Sequence, residues 1–226
     1  MKIHRLLALA TLAGFAGLAH AATLPVAASD PSLANRANLG QALQAFLAQR
    51  GDICLAKYDW PIDVSARDDA ARTSNALQMP VLEHQGLVTG RDGYVDYRDD
   101  ETGQVERVPT RRYELTALGR KFFKQRDSAG HGPDGHVVVH HGDLCAGRLE
   151  LAAITRIAEP QVAPGQPRTA SVSYRYRFTA APWAATATTR AVFPMIDLLI
   201  RKQDSLEMTH RLHFDGQRWV ADAQLE

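Results

Sequence analysis

The densest collection of chemically capable side chains lies between His131 and Cys145, in the run His131-Gly-Pro-Asp134-Gly-His136-Val-Val-Val-His140-His141-Gly-Asp143-Leu-Cys145. Imidazole, carboxylate and thiolate are the donor types of zinc and copper centres. If residues 136–141 form a strand, His136 and His140 share a face but stand roughly 13 Å apart at a rise of about 3.3 Å per residue, too far to share one ion. A bend at Gly142 would bring His141 and Asp143 together. The metal-ligand candidates are therefore His136, His140, His141 and Asp143, with His131 at the margin, against the plainer reading of a solvated, histidine-rich strand edge.

Other chemistry finds less footing. The chain has no G-x-S-x-G, S-x-x-K or H-E-x-x-H pattern for nucleophilic or zinc-assisted hydrolysis. Asp68-Asp69 and Asp99-Asp100-Glu101 are adjacent acids, which do not converge as an acid/base couple does, and the second cluster lacks the spacing of a calcium loop. His210 falls on the apolar face of a strand, where a hydrogen-bonded core histidine is expected, and His213 falls on the opposite face. No catalytic residue and no cofactor is assigned.

The two cysteines, Cys54 and Cys145, belong to a chain that begins like an export substrate. Lys2 and Arg5 precede an uncharged apolar run from Leu6 to Leu18, and Ala19-His20-Ala21 is a small-x-small cleavage site. The run is too short for a bilayer span, which takes about 20 residues, and no cysteine follows the cleavage site to carry a lipid. A soluble protein of the periplasm, or one secreted beyond it, is expected after cleavage near Ala21. In an oxidising compartment an even cysteine count favours a Cys54–Cys145 disulfide; the alternatives are two buried thiols or one reactive thiol, although no C-x-x-C spacing supports redox catalysis.

Loss of Lys2 and Arg5 takes the basic residues from 26 to 24, against 25 acids. So balanced a chain exerts no general pull on nucleic acid or an anionic membrane. With 45% hydrophobic residues, an ordered core is expected.

Helical spacing of Leu39, Leu43, Phe46 and Leu47 predicts a helix opened by a Ser32 cap and stopped at Gly51. Ile53 to Val64 reads as extended, and Ser65 to Gln85 as helical with a break at Pro80. A turn-rich ribbon follows from Thr89 to Arg112, then a strand entering a helix capped by Thr116. Residues 127–135 read as a linker. Beyond them the period becomes two: Arg148 to Ile157 alternates, and Ala170, Val172, Tyr174, Tyr176 and Phe178 oppose Ser171, Ser173, Arg175 and Arg177. Pro182 to Arg201 is mostly helical, with Pro194 either a kink or a new start. Leu206 to Phe214 and Trp219 to Ala221 are strands joined at Asp215-Gly216.

Within this order, Gly86-Leu87-Val88 after a helix, the β-ribbon, and Leu115-Thr116-Ala117-Leu118-Gly119-Arg120 resemble the winged helix of bacterial regulators over residues 65–125. The resemblance implies a DNA-binding scaffold, but export and the ribbon acids Asp92, Asp96, Asp99, Asp100 and Glu101 oppose phosphate contact, so no nucleic-acid partner is expected. Separately, Leu144-Cys145-Ala146-Gly147-Arg148, Tyr174-Arg175-Tyr176, Pro182-Trp183-Ala184 and the terminal Asp-Gly-x-x-Trp are similar to a group of small exported proteobacterial proteins of unknown function, and Cys54 with Trp60-Pro61 fits the same likeness. It implies no activity.

The expected fold is α+β: a signal peptide over 1–21, a helical, winged-helix-like region over 22–130, and a curved antiparallel sheet with a packed helix over 131–226. The function expected is non-enzymatic binding of an envelope protein or small ligand, with a metal-binding protein or metal-dependent enzyme built on His131–His141 as the alternative. The cleavage site has a direct check: the amino terminus of protein recovered from the periplasm should begin at Ala22, read by intact-mass measurement.

Overall fold

In the computed structural model, residues 30–98, 102–131, 134–158, 160, 162 and 164–223 are described. The expected signal peptide, Asp99-Asp100-Glu101, and Gly132-Pro133 of the expected linker lie outside them.

Helix α1 (Arg36–Arg50) is capped by Asn35, not by Ser32: the Asn35 side chain accepts the Asn38 N–H at 2.9 Å, because Asn35 is the last extended residue before the helical run. The helix ends at Gly51, whose N–H donates to Leu47 O. Leu39, Leu43 and Leu47 are buried along one side of it. Strands β1 (Asp52–Cys54) and β2 (Ile62–Ser65) follow, then two short helices, α2 (Ala66–Ala71) and α3 (Ser74–His84). The break between them falls at Arg72, which takes a left-handed φ of 53°, and not at Pro80. Ser65 and Asp68 form a reciprocal capping box on α2 and Thr73 caps α3, so cap chemistry sets the boundary. Pro80 sits on the exposed side of α3, which runs through it.

Strands β3 (Val88–Arg98) and β4 (Val105–Leu115) form a long hairpin, and β2 joins it to give a sheet of order β2-β4-β3. Glu83 ties α3 to that hairpin by accepting the Gly90 N–H at 2.7 Å and pairing with Arg111 at 2.8 Å. Thr116 caps α4 (Ala117–Phe122), and its hydroxyl donates to Gly86 O at 2.7 Å. Gly119 explains the spacing of that motif: a Cβ there would lie 2.0 Å from Leu87 O, so α4 approaches the chain end of α3 only with glycine at the contact.

Strand β5 (Phe123–Lys124) is short, and the stretch read as a linker contains β6 (Ser128–His131), paired antiparallel to β7 (Val137–His140). The Ser-Ala-Gly composition of β6 carries little strand preference of its own; the β-branched Val137-Val138-Val139 supplies the partner. The main sheet is then built from β8 (Asp143–Ile157), β9 (Thr169–Ala180), β10 (Glu207–Phe214) and β11 (Trp219–Ala221), in the order β1-β8-β9-β10-β11 with β5 also beside β8. Register shifts at Leu151/Ala153 and Ile154/Arg156 in β8 are bulges, which bend and twist a strand and so curl the sheet. Between β9 and β10, α5 (Ala187–Val192) is capped by Thr186, and α6 (Pro194–Lys202) starts with Pro194 at its first turn. The fold is α+β, with helices against a large curled antiparallel sheet.

One face of that sheet is apolar: Val172, Tyr174, Tyr176, Leu212 and Trp219 are buried, whereas Arg175, Arg177 and Arg211 are exposed on the other. Helix α1 packs on β8 and β11, so the first helix belongs to the sheet's core. On the same face, the Tyr176 hydroxyl donates to Leu199 O of α6 at 3.3 Å. Gly119→Ala should lower unfolding free energy by about 1–3 kcal/mol through overpacking against Leu87, measured by denaturant titration.

Candidate binding site

The candidate site forms where β1 meets the beginning of β8. Cys54 pairs with Cys145 in register, and their sulfurs are bonded at 2.06 Å. The Leu55 N–H donates to Leu144 O at 2.9 Å, and Ala56 then turns back with a left-handed φ of 56°. This geometry points two successive N–H groups at one carboxylate: Ala56 N–H donates to Asp143 Oδ2 at 3.1 Å and Lys57 N–H to Oδ1 at 2.8 Å. The Trp60 indole N–H reaches Lys57 O at 3.2 Å, and the Trp60–Pro61 peptide is cis.

The segment presents an unusual set of ionisable groups. Lys57 is only 6% exposed, and its ammonium makes no ion pair or hydrogen bond among the described residues. Burial holds its pKa below the ordinary lysine range, partly opposed by the negative charge of Asp143. Burial likewise pushes the Asp143 carboxyl up, against the stabilising backbone N–H groups of Lys57 and Ala56. The Tyr58 phenol is raised by burial and by Asp143. Tyr58 stacks on His140, with ring centroids 3.9 Å apart and planes 10° from parallel. The same imidazole is held at its edge by Asp59, whose Oδ2 lies 3.1 Å from His140 Nδ1.

Two of the sequence candidates, His140 and Asp143, therefore meet in this corner, but in separate roles: His140 is the outer, stacked group and Asp143 is turned to the backbone. The others disperse. His136 sits 2.7 Å from Asp134, His141 sits 2.9 Å from Asp127, and His131 ends β6 exposed. Alternation along the chain separates His140 from His141, and each finds its own carboxylate. Among the described residues, no three His, Cys, Asp or Glu side chains gather as a metal-holding group.

Elsewhere, His210 is fully buried, with its ring 4.4 Å from that of Phe46 and its Nε2 2.8 Å from Asp222 O, and His213 pairs with the Asp222 carboxylate. Sequence reasoning passed over Lys57, Tyr58 and Asp59. The available signal was their position between Cys54 and Trp60-Pro61, inside a segment whose two ends were already marked. Chemically the corner offers a rigid aromatic–imidazole plate, an exposed carboxylate and a nearly buried cation. Those are groups for recognising a polar partner.

Comparison of the chain with protein-family models, curated proteins and solved structures finds no match.

The buried pair has a pH signature. Asp143, with its folded pKa raised, contributes favourably at acid pH and loses that contribution as pH rises through its folded value. Lys57, with its folded pKa lowered, contributes favourably above the ordinary lysine range and loses that contribution as pH falls through its folded value. Both groups are thus penalised at neutral pH. Lys57→Met should stabilise the fold at pH 7 by about 1 kcal/mol, with the gain shrinking in alkali. Asp143→Asn should instead destabilise by about 1–3 kcal/mol, because the amide keeps one acceptor oxygen but turns its NH2 toward the other backbone N–H, which is left without an acceptor. Chemical denaturation across pH reads both, and a destabilised Lys57→Met would refute the account.

Proposed function

We propose that this chain is an exported, periplasmic binding protein of the cell envelope, which engages another envelope protein or a small ligand without covalent chemistry. The observation that carries this reading is the pinning of residues 54–60: a disulfide, a carboxylate holding two backbone N–H groups, and an indole hydrogen bond all fix the segment that presents Tyr58 and Asp59 beside His140. A segment ordered before its partner arrives loses less entropy on binding, which is the advantage of a preformed recognition surface. The cysteine pair is compatible with an oxidising compartment, and among the described residues no helix is long and apolar enough to cross a membrane.

The winged-helix likeness of residues 65–125 forms part of the proposal as a packing scaffold. Its support is the order β2, α2, α3, then the β3–β4 hairpin, with all three strands in one sheet. DNA is not its partner in this reading. The helix that would enter a groove is engaged with α5: Gln78 Nε2 donates to Val192 O at 3.1 Å and Gln85 Nε2 lies 3.4 Å from Thr188 Oγ1. Three of the ribbon's cations are also occupied, with Arg111 on Glu83 and Asp92, Arg112 on Asp63, and Arg107 over the Tyr94 ring.

Metal analysis of untagged protein from periplasmic extract tests the reading against its metal-dependent alternative. Metal well below stoichiometric amounts is expected. Stoichiometric zinc or copper, lost in a His136→Ala, His140→Ala, His141→Ala variant, would overturn it.

A further inference from the structure

A groove of about 390 Å³ runs between α1 and β11, away from the Cys54–Cys145 corner. One wall is a single stripe of α1, Gln41, Ala42, Ala45, Phe46 and Gln49 at helical spacing, in which the two alanines leave room. The other wall is made by the consecutive residues 218–221. Successive residues of a strand point to opposite faces, so four in a row can line one groove only if the strand's edge is turned toward it.

The register shows which backbone groups that edge offers. The Asp215 N–H donates to Arg218 O at 3.0 Å and the Asp222 N–H to Arg211 O at 2.9 Å, with His213 opposite Val220 between them. Arg218, Val220 and Asp222 therefore spend their ladder groups on β10. In an antiparallel pair the alternate residues face away, so Trp219 and Ala221 direct N–H and C=O outward. No described strand pairs with β11 on that side. From Gln41 to Gln49 the helical wall is about 12 Å long at about 1.5 Å per residue, the length of an extended peptide of about four residues. Among the described residues the groove's lining holds no acidic side chain, and the Arg218 guanidinium at its end is 80% exposed, with Asp215 only at 3.9 Å.

We propose that this groove receives an extended polypeptide segment of a partner protein, added as a further strand on β11. Trp219 and Ala221 hydrogen-bond its main chain, a small apolar side chain enters over Ala42 and Ala45, and a neighbouring carboxylate meets Arg218. Strand addition draws its affinity from main-chain hydrogen bonds and its selectivity from alternate side chains, which matches the outward N–H and C=O groups of Trp219 and Ala221 beside the slot over Ala42 and Ala45. The site names a partner class without depending on the Tyr58–His140 corner.

The test is amide hydrogen exchange by NMR on the full chain, with and without a blocked peptide that alternates valine and threonine around one glutamate. Exchange at Trp219 and Ala221 should slow by about tenfold or more at saturation, while Val220 and Asp222, already bonded to β10, stay unchanged. Ala45→Trp fills the slot from the exposed side of α1 and should abolish the slowing, with the thermal midpoint retained. Arg218→Gln should weaken the glutamate peptide and leave its glutamine counterpart unaffected. Unchanged exchange at Trp219 and Ala221 under high peptide would overturn the proposal. Protection of those two amides without peptide, rising with protein concentration, would overturn it in favour of a second copy of the chain at the edge.

Discussion

The molecule is organised around one strand that is asked to do two things. β8 is fifteen residues long, and its first part, Leu144, Cys145 and Ala146, is buried at consecutive positions. Along this part β8 is hydrogen-bonded to β1 and β5, and the Leu55 N–H adds a further bond to Leu144 O. Farther along, Leu149 and Ile154 are buried and the residues between them are exposed or half-buried, because the register shifts break the simple alternation expected from Arg148 to Ile157. The bulges between Leu151 and Arg156 lie where it changes from a straight ladder to a curled one. The Cys54–Cys145 corner and the hydrophobic core are thus consecutive stretches of the same backbone, and neither can shift register without the other.

That arrangement accounts for the groups that stay under tension in the corner. Asp143 is the first residue of β8, and its carboxylate stands in for the main-chain partners that Ala56 and Lys57 lack outside a ladder. Folding the turn this way leaves Lys57 only 6% exposed. An apolar residue at position 57 would leave the same two backbone hydrogen bonds in place, so the retained amine is not explained by the needs of the turn. The cost falls in the segment that carries Tyr58 and Asp59.

Much of the architecture could be read from residue order because the governing physics was local. The alternation appears as buried and exposed faces from Tyr174 to Phe178, though Ser173 is buried against expectation, the Asp215-Gly216 turn closes β10 on β11, Thr116 caps a helix, and Pro194 begins one rather than kinking it. The misplacements share a different cause, a choice between competing local partners. Ser32 and Asn35 can both cap, and the nearer one does so. Proline is a strong helix breaker, yet the break comes earlier than Pro80, where the end of α2 at Arg72 and the Thr73 cap set it. β6 lacks strand-forming residues and exists because three valines lie opposite. The candidate site was half legible: His140 and Asp143 stood out by type, whereas Lys57, Tyr58 and Asp59 acquire meaning only when residue 54 is brought beside residue 145.

The bridge has a consequence of a topological kind. Its two cysteines are 91 positions apart, so it closes a covalent ring that contains β2, β3, β4, α2, α3, α4 and the whole β6–β7 hairpin. The hairpin belongs to a sheet of only two strands, with both of its outer edges unpaired by other described strands, and its bend lies near the exposed Asp134 and His136. A peptidase cutting there would open the ring without dividing the molecule. The two fragments would remain tethered through Cys54 and Cys145 and separate only on reduction, so a nicked chain would travel as an intact one until its thiols were exposed to a reductant.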